Sequence, residues 1–265
     1  MTTIGAWFAA NADLDRVDRE LMLCAVPGIT RARILAAPET TLAPADRARL
    51  DDWSTQRRAG VPLAYLVGRR GFRDFELTVS PAVLVPRPET ELLVEIAIEL
   101  LAADQCALDL GTGSGAVAIA LALETGARVS AVDLSPAALA VAAANAAALG
   151  ATVEWITSDW FAAVAGRYHV IVGNPPYVAT DDPHLEALRH EPRLALVGGT
   201  DGLDALRRII AAAPEHLHPG GWLALEHGFD QGPAVRALLG QRGYTDIETR
   251  RDLAGHDRVS LARWP

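Results

Sequence analysis

Asp109-Leu110-Gly111-Thr112-Gly113-Ser114-Gly115 follows an apolar run at 107–110 and precedes a segment with a helical pattern. Glycines at this spacing let the backbone turn sharply and approach a ligand, with the N–H groups of the next helix aimed at it. Outward from this unit the chain alternates strands with helices. Strands are expected at 107–110, 128–132, 152–156, 169–173 and 222–226. Ser135 caps the helix that starts with Pro136. Strands at 246–250 and 258–262, linked by a turn containing Gly255-His256-Asp257, read as an antiparallel pair. The expected fold is therefore α/β: a seven-stranded, mostly parallel sheet with helices on both faces.

Upstream, residues 1–66 read as helical. Ile4, Trp7 and Phe8 sit at helical spacing, as do Val17, Leu21 and Cys24 in a helix that Pro27-Gly28 ends. A short helix at 31–37 and a longer one at 44–59, with Leu50 and Trp53 on one stripe, complete this part. Gly60-Val61-Pro62 marks a boundary. Phe75, Leu77 and Val79 then alternate within a strand at 72–79, and 83–85 reads as a second strand closed by Pro86-Arg87-Pro88. A helix follows over 89–103. The expected division is a small all-α substrate-recognition domain at 1–66, a linker and hinge β-hairpin at 67–88, and the α/β domain at 89–265. Arg57, Arg58, Arg69, Arg70 and Arg73 gather five positive charges around the hinge, either solvated or facing an acidic partner.

Composition removes several functional classes. The chain has 265 residues, half of them hydrophobic, and a formal charge of −9. That balance argues against a partner bound chiefly through nucleic-acid phosphates. All 24 basic residues are arginine. A Walker-A loop, a Schiff-base lysine and a Ser-Lys dyad are thereby impossible. Cys24 and Cys106 lie far apart, so neither a disulfide framework nor a thiolate zinc site is expected. His216 and His218 read as a solvated helix end, and no metal is expected. No basic leader with an apolar core opens the sequence, and no apolar run reaches the roughly 20 residues of a membrane helix. A cytoplasmic protein is expected.

Asp133 ends the second strand of the α/β region, 22 residues after Gly111. A carboxylate there accepts hydrogen bonds from ribose hydroxyls, so loop and acid together read as a site for an adenosine-containing cofactor. Gly111, Gly113 and Ala116 also satisfy a dinucleotide fingerprint, which leaves a nicotinamide dinucleotide and S-adenosylmethionine both open. Ser158-Asp159-Trp160, after the third strand, lies where an adenine would rest, with Asp159 as acceptor and Trp160 as stacking surface.

Asn174-Pro175-Pro176-Tyr177 separates the two cofactors. Prolines cannot donate to a ladder, so the strand at 169–173 stops there and presents an amide oxygen, bare carbonyls and a phenol in a stiff frame. Such a frame suits a planar nitrogen with N–H donors. Asn174 Oδ1 and the Pro175 carbonyl accepting its hydrogens, with Tyr177 stacked on the planar group, would raise the nucleophilicity of a delocalised nitrogen and aim its lone pair at a methyl donor. That favours methyl transfer, with positioning and preorganised dipoles supplying most of the rate.

These stretches resemble class I S-adenosylmethionine-dependent methyltransferases of the amino-methylating type. Val85-Pro86-Arg87-Pro88-Glu89-Thr90-Glu91, Glu191-Pro192, residues 199–203, Leu225-Glu226-His227-Gly228 and residues 251–259 narrow the likeness. With the helical N-terminal part they resemble the HemK-type peptide-chain release factor glutamine methyltransferases over essentially the whole chain. The resemblance implies a Rossmann-like domain that methylates the glutamine amide of the Gly-Gly-Gln motif in class 1 release factors, giving N5-methylglutamine and S-adenosyl-L-homocysteine. It implies that Asp109, Gly111, Thr112, Gly113, Ser114 and Gly115 hold the methionine part and Asp133 the ribose. Asp159 and Trp160 would border the adenine, and Asn174, Pro175, Pro176 and Tyr177 would hold the glutamine. Arg87 and Glu89 either shape the glutamine pocket or form an ion pair at a helix start. The sibling branch acting on a ribosomal protein tends to have Arg-Ser-Pro where Arg87-Pro88-Glu89 stands, so the chain sides with the release-factor branch. Adenine-N6 and guanine-N2 methyltransferases share the tetrapeptide and remain the alternative class. A monomer without direct nucleic-acid or membrane contact is expected.

Overall fold

Short polar residues start the N-terminal helices. Thr3, Asp15 and Thr30 side chains accept the N–H groups of Ala6, Val17 and Arg33 at the heads of α1 (Ile4–Ala10), α2 (Arg16–Cys24) and α3 (Arg31–Ala36). α4 (Pro44–Arg58) starts on its proline, and α5 (Leu63–Val67) is one short turn more. Their apolar faces close over Ile4, Trp7, Met22, Leu23 and Leu50, and Trp7 Nε1 donates to Asp51 at 3.0 Å. The expected Val17–Leu21–Cys24 face of α2 is not the buried one: Val17 is 52% and Leu21 44% exposed. Helical spacing fits both faces. Glu20 tips the choice, because Arg16 and Arg31 cover its carboxylate at 2.8 Å each and let it turn inward beside Met22 and Leu23.

The computed structural model describes residues 1–265, and the chain divides into two units, Met1–Arg69 and Arg70–Pro265. Three of the five arginines near the boundary are held in ion pairs. Arg57 pairs with Asp18, Arg58 with Asp13 and Arg73 with Glu124, each at 2.6 Å.

β1 (Arg69–Phe72) and β2 (Phe75–Thr78) form a hairpin whose turn falls within the strand expected at 72–79, so the pairing runs upstream of the one expected. Its turn puts Arg73 at φ +52°, a conformation rare for residues with a side chain. Glu91 holds it by accepting the Arg73 N–H at 3.0 Å. The expected strand at 83–85 does not form. Val83 closes a turn onto Ser80, and the Val85 N–H is taken by the Glu191 carboxylate at 3.1 Å instead of a neighbouring strand.

The remaining elements alternate as the sequence predicts: α6 (Thr90–Leu100), β3 (Cys106–Leu110), α7 (Ala116–Thr125), β4 (Arg128–Asp133), α8 (Pro136–Leu149), β5 (Val153–Thr157) and β6 (Tyr168–Gly173). They are followed by α9 (Asp204–Ala212), β7 (Leu217–Glu226), α10 (Gly232–Arg242), β8 (Thr245–Arg251) and β9 (Asp257–Arg263). The strand order is β5-β4-β3-β6-β7-β9-β8, parallel except that β9 runs antiparallel to β7 and β8. Side chains alternate between two apolar layers, as strands covered on both faces require. Ala107, Val170, Val172 and Ala224 face the layer under α6 and α7. Leu108, Ile171, Leu223 and Leu225 face the layer under α9 and α10. β7 begins five residues before the expected start, because His218-Pro219-Gly220-Gly221 is an irregularity within the strand rather than its boundary. His216 does end a short 3₁₀ helix (Ala213–His216), where it stacks on Phe161, but His218 lies in β7.

One buried amide joins the hairpin to the glycine loop. Asn145 of α8, 3% exposed, accepts the Thr78 N–H at 2.8 Å and donates to the carbonyls of Thr78 at 3.0 Å and Ser114 at 2.9 Å. Replacing it orphans three backbone groups. Asn145→Ala is expected to cost about 2–3 kcal/mol in urea denaturation; a loss under about 0.5 kcal/mol contradicts this bracing role.

Candidate active site

The carboxyl ends of β3, β4 and β6 meet where the strand order reverses, the usual ligand position in an open α/β sheet. A cavity of about 390 Å³ opens there. Asp109, Gly111, Thr112, Gly113, Ser114, Asp133, Asp159, Trp160, Asn174, Pro176 and Arg87 line it. Gly115, Pro175, Tyr177 and Glu89 do not.

The glycine loop is hung from β4. The Gly111 and Thr112 N–H groups both donate to the Val132 carbonyl at 2.9 Å. Gly113, at φ +55°, has open space where a Cβ would stand, so its backbone is bare toward the cavity. Asp109 is 2% exposed and takes the Thr112 hydroxyl at 2.7 Å. Burial pushes its carboxyl up to about 7. It therefore braces the loop from beneath. Asp133 accepts the Gly113 N–H through one oxygen and the Ser135 N–H through the other, each at 2.9 Å. Each oxygen keeps a further lone pair for a ligand. The Trp160 ring lies against Gly111, and Asp159 pairs with Arg208 at 2.8 Å.

The opposite wall carries Asn174 and Pro176 of the tetrapeptide. Asn174 Nδ2 donates to Thr90 Oγ1 at 3.1 Å, which fixes the amide and leaves Oδ1 without a protein donor. No donor reaches the Pro175 carbonyl either. Tyr177 is set back: its ring packs at the edge of the layer under α9 and α10, and its hydroxyl donates to Glu226 at 3.2 Å. Burial and the Glu226 carboxyl raise the Tyr177 pKa. Gln231 donates to the Tyr177 carbonyl at 3.0 Å, and Val178 exchanges backbone bonds with Leu196 and Gly198 at 2.9 Å. Gly202, at φ +74°, packs so closely that a Cβ would overlap the Tyr177 carbonyl oxygen and sit 2.7 Å from Gln231 Nε2.

Three residues of this site, Thr90, Glu226 and Glu191, belong to stretches that narrow the family likeness in the sequence but receive no role of their own there. Glu226 ends β7 with 1% exposure, has Thr90 and Tyr177 as its hydroxyl neighbours, and keeps Oε2 unpartnered. Its signal is a charged residue closing an apolar strand. Glu191 is nearly buried and holds Arg87, so the Arg87 ion pair bridges to the loop before Pro192 and not to Glu89. Glu89 precedes α6 without a side-chain capping bond. His227 is fully buried, with Ser260 and the Gly228 carbonyl as partners at 2.8 Å, and burial lowers its pKa.

The cavity fits S-adenosylmethionine. It falls within the size range of small-molecule sites, with the Asp133 carboxylate on one side and a bare glycine backbone beside it. Fold and site together are those of a class I S-adenosylmethionine-dependent methyltransferase. Family models match as the Methyltransferase small domain over residues 88–190 and the PrmC N-terminal domain over residues 8–68. The release factor glutamine methyltransferase of Pseudomonas aeruginosa is 49% identical over 94% of this chain and 92% of its own. The enzyme of the same name from Xylella fastidiosa is 48% identical over 97% and 96%. Among solved structures, the E. cuniculi Mtq2-Trm112 complex, responsible for methylation of the eRF1 translation termination factor, superposes with a TM-score of 0.52. It is 25% identical and covers 69% of this chain and 99% of that one. The chain belongs to the release factor glutamine methyltransferase family. No helix is long and apolar enough to cross a membrane.

Burial raises the Glu226 carboxyl from its ordinary 4.5 to about 7. The folded chain therefore holds that proton more tightly than the unfolded one. The resulting stabilisation is full below about pH 4.5, is lost as pH rises through about 7, and is constant above. Glu226→Gln has no such proton, so its stability relative to the parent should rise between pH 5 and pH 8, by on the order of 1–3 kcal/mol. Chemical denaturation at the two pH values checks this, and a flat or opposite difference contradicts the buried-carboxyl reading.

Proposed function

We propose that this chain transfers a methyl group from S-adenosylmethionine to the side-chain amide nitrogen of the Gly-Gly-Gln glutamine in a class 1 release factor. The observation that carries the reading is Asn174 Oδ1: an acceptor fixed by Thr90, without a protein donor, on the rim of a cavity whose far wall is Asp133 and the glycine loop. An amide nitrogen is a weak nucleophile because its lone pair is delocalised into the carbonyl. Asn174 Oδ1 and the Pro175 carbonyl take its two hydrogens, localise the lone pair and aim it across the cavity.

The bound cofactor supplies an electrophilic methyl on a sulfonium. Asp133 holds the ribose, the backbone around Gly111 to Gly115 and Thr112 holds the methionine part, and Trp160 with Asp159 borders the adenine. Tyr177, set back from the cavity, keeps the tetrapeptide at a fixed tilt through its bond to Glu226. Arg87, held by Glu191, shapes the glutamine entrance. No tuned general base is required, since an N-methylated amide cation gives up its proton to water. The helical unit recognises the release factor, and the enzyme works as a cytoplasmic monomer without direct nucleic-acid contact.

Methyl-labelled S-adenosylmethionine should label a release factor but not its Gly-Gly-Gln variant with Gln replaced by Ala. Label on both, or on neither, rejects the reading. Asn174→Ala should lower kcat by about 10²–10³-fold, the range for loss of one preorganised polar contact, while calorimetry finds cofactor affinity little changed. Asp133→Ala should do the converse, weakening cofactor binding by about 1–3 kcal/mol. An unchanged affinity removes the ribose assignment.

A further inference from the structure

The opposite ends of the same strands carry a cluster that methyl transfer does not use. Cys106 opens β3, and His169 and His218 are the second residues of β6 and β7. These three strands are neighbours in the sheet. The pairing of Ala107 with Val170 puts Cys106 across from His169, and His169 and His218 directly follow the paired Tyr168 and Leu217, where the register shifts. Directly opposed residues of parallel strands project to the same face, so register brings together the Cys106 thiol and the His169 imidazole. The irregularity between Tyr168 and Val170 then keeps the imidazoles together, with ring centroids 4.4 Å apart. A Cβ on Gly221 would stand 3.1 Å from the His169 carbonyl oxygen, so the backbone of β7 approaches as closely as glycine allows.

We propose that Cys106, His169 and His218 bind one borderline-soft divalent metal ion, with Zn²⁺ as the best match. One possible ligand atom from each residue lies within 4.8 Å of the other two. Cys106 Sγ and His169 Nδ1 are 3.3 Å apart. In a tetrahedral zinc site, with metal–sulfur about 2.3 Å and metal–nitrogen about 2.0–2.1 Å, a sulfur and a nitrogen ligand stand roughly 3.5 Å apart. One edge of the tetrahedron is thus close to its bound length, and the other two need no more than about 1.3 Å of side-chain rotation to reach it. A sulfur and two nitrogens select Zn²⁺, Co²⁺ or Ni²⁺ over Mg²⁺ and Ca²⁺, which require oxygen. Three protein ligands leave a fourth position for water.

Binding exchanges existing weak contacts. The Cys106 thiol now donates to the Arg167 carbonyl at 3.4 Å, and His169 Nδ1 accepts the Cys106 N–H at 3.3 Å. On metal entry the thiol proton passes to solvent, the thiolate and both neutral imidazoles donate lone pairs, and no electron is transferred. All three side chains are half-buried, so the ion has a path in. The site lies four residues of strand from the catalytic ends, about 13 Å. Its role is to tie the amino-terminal edge of three central strands.

The test uses full-length, untagged protein titrated with Co²⁺. One equivalent should produce the visible bands of a tetrahedral ion and a thiolate-to-cobalt charge-transfer band. Cys106→Ser should abolish the charge-transfer band while Cys24→Ser keeps it, and His218→Ala should weaken binding at least about tenfold. Zn²⁺ should displace the Co²⁺ and raise the melting temperature of the parent chain but not of Cys106→Ser. No saturable spectrum at one equivalent, a charge-transfer band that survives Cys106→Ser, or a Zn²⁺ shift equal in both proteins overturns the site.

Discussion

Pro175 and Pro176 have no N–H to give, and the rest of the catalytic half is arranged around that lack. Beyond Gly173 no ladder bond can hold the chain in place. Each restraint on the tetrapeptide comes from a different part of the sequence instead. Thr90, at the head of α6, takes the Asn174 amide. Glu226, at the end of β7, takes the Tyr177 hydroxyl. Gln231, just before α10, takes the Tyr177 carbonyl. Leu196 and Gly198 pair with Val178. A frame fixed from four directions has little freedom to lose when substrate arrives, and preorganised dipoles depend on that property.

Two buried carboxyls stand behind the two walls of the cavity. Asp109 lies under the glycine loop and Glu226 under the tetrapeptide, and burial pushes each up to about 7. Both are engaged by hydroxyls, Thr112 for one and Tyr177 for the other. A buried carboxyl without partners costs several kcal/mol. Hydroxyl donors offset part of that cost and turn each acid into a polar strut whose strength depends on its proton.

Much of this was legible in the chain. The two apolar layers follow from period-two alternation, which depends only on backbone geometry. The glycine loop, Asp133 and the tetrapeptide converge because strand order follows from short, right-handed crossovers. What escaped reading is decided by contacts between distant residues. The inward turn of Glu20 needs Arg16 and Arg31 together. The failed strand at 83–85 needs Glu191, more than a hundred residues away, to take its N–H. Arg73 at positive φ needs the Glu91 carboxylate. His218 looked like a helix end because Pro219 and Gly220 interrupt the apolar pattern, although the strand runs on through them. Thr90 and Glu226 lie in stretches that carry the family likeness, but their roles emerge only from their approach to Asn174 and Tyr177.

The bonds between Val178 and Leu196–Gly198 close the intervening segment at its base like a drawstring, and Glu191 pins its far arm through Arg87 and Val85. Once the neck is tied, chain added at the crown contributes only loop-closure entropy. That cost grows with the logarithm of length, about 0.6 kcal/mol per doubling. The stretch around 181–190 is therefore thermodynamically inexpensive to lengthen or recolour, while the tetrapeptide at its root keeps its geometry. Tolerance of length at the crown and a fixed backbone at the root are thus carried by the two ends of a single loop.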